Sequence, residues 1–289
     1  MRLTSGEKLF QALLVLFIIV LCICMLYPFL HVLSISLSTP SEALRPGIHW
    51  YPKELSFSAW ERVFATDTVW VALKNSVFRT VVGTVLTLIF LSLGAYPLSK
   101  KYLPHRKFYT MFIVATLFFS GGLIPTYLLI KNLHLIDSLW VLIIPGLINT
   151  FNLLILRNFF MGIPEELEDS ARMDGAHDIR ILFSLVIPLS KPVLATLALW
   201  TAVGHWNAWF DALLYLQDEA KTVLQLYLRR LVITNEGTGD ALLAIPIEEQ
   251  PHETLKAAVI MFTALPILLV YPFLQKYFVK GVMVGSLKG

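Results

Sequence analysis

Six apolar runs, each about as long as the hydrocarbon core of a bilayer is thick, govern what this chain can become. They fall at residues 9–33, 77–98, 108–130, 139–160, 186–214 and 257–279. A helix rises 1.5 Å per residue, so about 20 residues cross a core of ~30 Å, and each run meets that length once tilt is allowed. Helix is the form required, because lipid offers no partner to an unpaired backbone N–H or C=O. The expectation is an all-α membrane protein, six transmembrane helices in a single transmembrane domain over residues 1–289. Composition agrees: mean hydropathy is +0.69 and 15% of residues are charged, against roughly 25% in soluble domains. An ordinary cytosolic globule is excluded. The first run is far longer than the roughly 7–15 residues of a leader's apolar region and reads as a retained anchor.

Lys and Arg set the orientation. With the amino terminus inside, the inner loops hold Arg2 and Lys8, the cluster Lys100, Lys101, Arg106 and Lys107, the basic residues between Arg157 and Lys191, and Lys276, Lys280 and Lys288. The longer loops 36–74 and 213–256 carry fewer basic residues per length, so both termini are expected in the cytoplasm, beneath a plasma membrane.

Between the fourth and fifth runs lies PEELEDSARMDGAHDIRILFSLVIPLSKP, residues 164–192, which is charged where its neighbours are apolar. Pro164 suits the first helical position, and Glu165, Glu166, Glu168 and Asp169 put negative charge on the positive end of a helix dipole. Glu168 and Arg172 form an i,i+4 pair of favourable orientation, Leu167 and Ala171 share a face, and Gly175 follows Asp174 where a left-handed residue can end the helix. Beyond that corner Ile179, Leu182, Phe183 and Val186 recur with helical spacing, and Pro188 and Pro192 bend the path into apolar sequence. This predicts a two-part helix outside the membrane, on the cytoplasmic side, offering a docking surface.

The segment resembles the EAA signature of ABC importer membrane subunits, read here as Asp169-Ser170-Ala171, Asp174-Gly175-Ala176 and Ile187-Pro188-Leu189. Its longer wording is similar to that of the maltose-type carbohydrate permeases, in the MalG-like branch and its LplC/YtcP kind. Asp169 and Ser170 stand where that family usually has Glu and Ala, which keeps the charge and shortens its reach by one methylene. The resemblance implies a type I ABC importer, MetI-like permease core with a cytoplasmic coupling helix pair over 164–185. It implies ATPase docking through Glu166, Leu167, Asp169, Ala171, Arg172, Asp174, Gly175 and Ala176. The implied partners are a second homologous permease, two ABC ATPase subunits and an extracytoplasmic solute-binding protein, with carbohydrate, an oligosaccharide, as cargo and membrane lipid around the chain. The final residues resemble the family's KG-x-x-x-G-x-x-KG terminus, implying that Lys280, Gly281 and Gly285 reach toward the nucleotide-binding subunits; by themselves they read as a flexible cationic tail.

No catalytic constellation accompanies these features. There is no GxxxxGK[ST] loop, so ATP and Mg belong on partner subunits and this chain is expected to bind no cofactor and to be no enzyme. Cys22 and Cys24 lie two apart within the first run, a spacing that fits neither a redox pair nor a zinc site. The seven histidines show no ligand spacing, no metal site is expected, and no Gly-x-Ser-x-Gly elbow is present. No nucleic-acid partner is expected.

Candidates for the solute pathway are Arg79, Trp206, Asn207, Trp209 and Asp211. Arg79 is charged at the edge of a crossing, where two readings stay open: a group lining the pathway, or one that snorkels to the outer interface. In 200–215, WTAVGHWNAWFDALLY, Trp206 and Trp209 are three apart and share a side of one helix, with Asn207 and Asp211 four apart on another. Aromatic faces beside hydrogen-bonding groups suit a sugar, and equally an interfacial belt; the His205-Trp206-Asn207 run resembles the WN element of sugar permeases. A permease for phosphate, polyamine or amino acid shares the docking loop and is the alternative within the class. An ATP-independent secondary transporter would need ionisable residues at mid-membrane, and apart from Arg79 the runs are nearly free of them.

Overall fold

The computed structural model describes residues 5–233 and 253–286, with side chains over 6–233 and 253–270. Helix dominates and, among the described residues, the only strand-like pairing is an isolated antiparallel bridge between Ser38 and Leu55. In chain order the helices are α1 (Ser5–Ser36), α2 (Pro40–Ala43), α3 (Ser58–Ala65), α4 (Asp67–Ser99), α5 (Arg106–Ala115), α6 (Leu123–Asn132), α7 (Thr150–Met161), α8 (Glu165–Met173), α9 (Asp178–Ile181), α10 (Ile187–Leu189), α11 (Lys191–Asn207), α12 (Phe210–Tyr215), α13 (Leu224–Ile233) and α14 (Glu253–Ser286).

Three stretches are long and apolar enough to cross a membrane unaided: Gly6–Ser36, Asp67–Ser99 and Glu253–Val270. Two more qualify as bent pairs, Leu139–Gly146 with Thr150–Met161 at 50°, and Asp178–Leu189 with Lys191–Asn207 at 84°. The run 108–130 is not one helix. It divides into α5 and α6, because Thr116 Oγ1 donates to the Ile113 carbonyl at 2.7 Å and closes the first, while Gly122 at φ +84° starts the second and Pro125 lacks an N–H. The run 186–214 is likewise interrupted, at Ala208. At the carboxyl end the backbone through Lys280, Gly281 and Gly285 continues α14 as helix to Ser286, where a flexible tail is expected. Extending an existing helix requires no new nucleus, which outweighs the roughly 1 kcal/mol that each glycine costs. Leu287 to Gly289 lie outside the described residues.

The chain divides into two compact units. One comprises the residues up to Trp70 together with Tyr227–Pro266, and its buried side chains include Ala59, Val63, Val69, Leu231, Ala258 and Phe262. Within it Phe262 meets the rings of Phe64 and Trp70 edge-on, each at 6.0 Å.

The other unit comprises Val71–Leu226 and the residues from Ile267 onward. One cluster in it joins Leu91, Ala95, Tyr96 and Leu98 of α4 to Leu153, Leu156 and Phe160 of α7 and to Ile181, Leu182, Val186 and Leu197. A second joins Ile130, Val141 and Leu142 to Ala212, Tyr215, Leu216, Val223 and Leu226. Where lipid is the solvent, apolar transfer does not drive such contacts, and close approach of small residues does. Gly83 of α4 is the tightest instance: a Cβ there would sit 2.6 Å from His205 Nε2 on α11.

Candidate functional site

The charged segment folds as a hook. Pro164 is the N-cap residue, at ψ 131°, and Glu165 opens the helix, one position later than the sequence suggests. Glu165 pairs with Lys101 at 2.9 Å, and that ammonium holds its carboxyl below the usual carboxylate range. Both side chains are largely exposed, so the pair adds little stability.

Glu168 behaves differently, being turned inward and only 3% exposed. Its carboxylate takes the Lys100 ammonium, the Tyr96 hydroxyl at 3.3 Å and the Arg172 guanidinium at 3.6 Å. The Lys100 ammonium also lies 4.3 Å from the Tyr96 ring centroid. Removal of one partner would strand a buried charge, so α8 is fastened to the end of α4.

Arg172 holds the corner, reaching Asp169 at 3.1 Å, Asp178 at 3.3 Å and the Tyr102 hydroxyl at 3.1 Å. Burial, then the nearby Asp178 charge, raises the Tyr102 phenol above its ordinary value. The helix ends in a Schellman motif: the Ala176 N–H donates to Ala171 O at 3.0 Å and the Gly175 N–H to Arg172 O at 2.9 Å, with Gly175 at φ +80°. Beyond it come α9, a π turn over Leu182–Val186 and α10, and then the 84° bend into α11. The π turn precedes Pro188, which has no N–H for an α-helical bond.

Of the eight residues expected to dock an ATPase, Glu166, Leu167, Asp169, Asp174 and Gly175 are exposed. Ala171 and Ala176 instead pack against the α4–α7 cluster, and Arg172 is engaged within the corner. Met173, 89% exposed, was not among them. The Glu168–Arg172 pair carried that signal, because it defines the inner face and leaves Met173 opposite.

A second constellation is interior. Arg79 is 3% exposed, enclosed by side chains and backbone of its own chain. Its guanidinium pairs with Asp211 and donates to Ala208 O at 3.0 Å. Ala208 lies in the break between α11 and α12, with ψ 130°. Carbonyls at a broken helix lose their intrahelical donors, and Arg79 supplies one. Asp211 in turn sits in the first turn of α12, where the dipole favours its charge.

The break corrects the expected geometry. Trp206 and Trp209 are not on one side of a continuous helix, nor do Asn207 and Asp211 share a face. Trp206 ends buried in α11, Asn207 is exposed and accepts from Gln225 Nε2 at 3.4 Å, and Trp209 stands edge-on to Phe210 at 5.5 Å. Arg79 and Asp211 are the two pathway candidates that come together.

A latch near this pair was invisible in the sequence. Asp137 accepts the N–H groups of Gln217 and Asp218, both at 3.0 Å, and the Lys221 ammonium at 2.7 Å. The Lys221 contact first, then the two N–H groups, holds its carboxyl at about 2. Asn75 Nδ2 donates to the Ala220 and Thr222 carbonyls at 3.0 and 2.9 Å, tying the same loop to α4.

No family model matches the chain. It is 43% identical over 284 residues to the polygalacturonan/rhamnogalacturonan transport system permease protein YtcP of Bacillus subtilis (strain 168), covering 98% of this chain and 99% of that protein. It is 42% identical over 290 residues to protein LplC of the same organism, covering 99% and 97%. Its fold is similar, with a TM-score of 0.88 and 33% identity over 96% of this chain and 99% of the other, to a chain in the crystal structure of a bacterial ABC transporter involved in the import of the acidic polysaccharide alginate. A chain in the crystal structure of a bacterial alginate ABC transporter in complex with an alginate pentasaccharide-bound periplasmic protein shares the fold at TM-score 0.58 and 15% identity.

Proposed function

The chain belongs to the family of carbohydrate ABC importer permeases, and from that premise we propose that it forms half of a translocation pathway for an oligosaccharide and is driven by ATPase subunits it does not contain. The observation that carries this reading is the hook at 164–189, an exposed acidic and apolar face fastened to α4 through buried Glu168. In this reading the hook is the coupling segment and faces the cytoplasm, as do both termini of a six-crossing chain, with α5 and α6 together making a broken third crossing. The basic loops support that orientation.

Partners in this reading are a second homologous permease, two ATPases holding ATP and Mg, and an extracytoplasmic binding protein. Two routes lead inward from the hook. One runs from Glu168 through Lys100 and Tyr96 into α4 and on to Arg79. The other runs through the π turn and the bend into α11, which ends at the carbonyl that Arg79 holds. Closure of the ATPase pair would displace the hook as a rigid body and bias both helices between two arrangements; solute and ATP act only through their different affinities for the two.

The test uses Gly175→Val and Asp174→Lys in the assembled transporter. The first opposes the left-handed corner and the second reverses charge on the exposed face. Both are expected to abolish uptake of a labelled oligosaccharide in cells while the chain stays in the membrane, through ATP hydrolysis uncoupled from transport or through lost assembly. Normal uptake by both would refute the reading.

A further inference from the structure

The loop that follows α1 is built inside out for a loop in water. Its base is pinched by the Ser38–Leu55 bridge and by the Ser56 N–H donating to Leu37 O at 2.8 Å. Glu42, 3% exposed, is turned into the loop, where its carboxylate accepts the N–H groups of Lys53 at 2.7 Å and Glu54 at 2.9 Å. The apolar side chains point the other way: Leu44, Ile48, Trp50, Tyr51 and Leu55 are each more than half exposed. Large exposed apolar groups gathered in one short loop mark a surface that meets something other than water.

The loop also runs backward. Instead of leaving the end of α1, it doubles back along that helix, so that the His49 ring lies 5.4 Å from His31 and the Trp50 ring 5.0 Å from Tyr27. Tyr27 is nine residues before the end of α1 at Ser36, roughly 13 Å along the axis. It is also well inside the apolar run 9–33, and its neighbours Met25, Leu26, Phe29 and Leu30 are exposed, as is nearly all of α1. Trp50 is therefore level with side chains that belong at the hydrocarbon boundary. Trp and Tyr concentrate at that depth, where an apolar ring body and a polar edge are both accommodated. Arg45 and Lys53, exposed on the same loop, have the charge that phosphate headgroups require.

We propose that the loop 37–56 is a membrane-dipping element whose partner is lipid: Ile48, Trp50 and Tyr51 enter the headgroup–acyl boundary of the outer leaflet beside α1. This rests on the permease reading for the presence of the bilayer and for which end of α1 is outside. The loop would brace α1 against tilting.

The test uses the full transporter in liposomes of phosphatidylethanolamine and phosphatidylglycerol, with Cys22→Ala and Cys24→Ala as background. Single cysteines at Ile48→Cys, Tyr51→Cys, Glu54→Cys and Phe17→Cys carry a small fluorophore, and Trp50 stays in place. Labels at 48 and 51 are expected to lose at least about twofold more emission to a nitroxide high on the lipid acyl chain than to aqueous iodide, and the label at 54 the reverse. Equal iodide quenching at 48, 51 and 54 would overturn the proposal. Protection of 48 and 51 from both quenchers would also overturn it, since protein would then cover them. Phe17 reads the premise separately. Quenching there by a deep nitroxide, with 48 and 51 wet or covered, defeats the loop proposal alone; quenching there by aqueous iodide defeats the spanning of α1 and the loop proposal with it.

Discussion

The Arg79–Asp211 pair joins side chains 132 residues apart and places a carbonyl from a broken helix under the same guanidinium. Removal of one member of a buried pair costs about 3–5 kcal/mol, and because Asp211 is 31% exposed the lower end applies. Arg79→Ala and Asp211→Ala are each expected to lower the unfolding midpoint of the purified complex by several degrees, whereas Arg79→Met with Asp211→Leu recovers most of the loss, as read by thermal unfolding in detergent. Asp137 makes a pH-dependent counterpart. Its carboxyl is held at about 2, mainly by Lys221, against an ordinary 3.8. The folded value is the lower one, so its contribution is complete above 3.8 and disappears as pH falls through about 2. Protease accessibility of the loop 216–223 should therefore rise over that window in the native chain, while Asp137→Asn should give an already raised, flat profile. Each of these side chains is plain in the sequence as a charge. None of the pairings is, because periodicity and composition report which face of a local element is apolar and carry no information about which distant element it meets.

Among elements, the approach of α4 to α11 depends on the absence of one side chain. A Cβ at Gly83 would lie 2.6 Å from the His205 ring, so Gly83→Val overpacks the contact by about 1–3 kcal/mol. The pairing of Gly83→Ala with His205→Ala should restore the assembly yield that Gly83→Ala alone loses, measured as complex recovered from detergent extracts. Gly175 is the contrasting case. Nothing lies within 4 Å of its virtual Cβ, so Gly175→Ala pays only for the left-handed backbone, roughly 1–2 kcal/mol, and should weaken α8 without a clash. That corner was legible because a helix stop has local chemistry: acidic residues first, a glycine in the right place and apolar spacing beyond. The interruption at Ala208 was not. Its neighbours remain apolar, so the run reads as continuous, and the break is held by an arginine from another helix. Gly83 drew no attention either, since a glycine in a crossing acquires meaning only from the ring opposite it.

For the whole molecule, the long apolar helices were readable because bilayer thickness is a fixed ruler against which each run can be measured. The helical character of the fold, the membrane setting and the charged hook followed from that ruler and from interruptions in it. Anchorages on α4 did not. Arg79, part-way along that helix, and Tyr96 with Lys100 at its carboxyl end are separated by 17 residues or more of uninterrupted helix, roughly 25 Å. One inserted residue anywhere between them would turn one anchorage by about 100° relative to the other; a seven-residue insertion would nearly restore the phase and push them about 10 Å apart. Length and phase cannot both be recovered. This stretch is accordingly the part of the chain in which insertions and deletions should be least tolerated, and a version adapted to a thicker membrane would have to add its residues elsewhere.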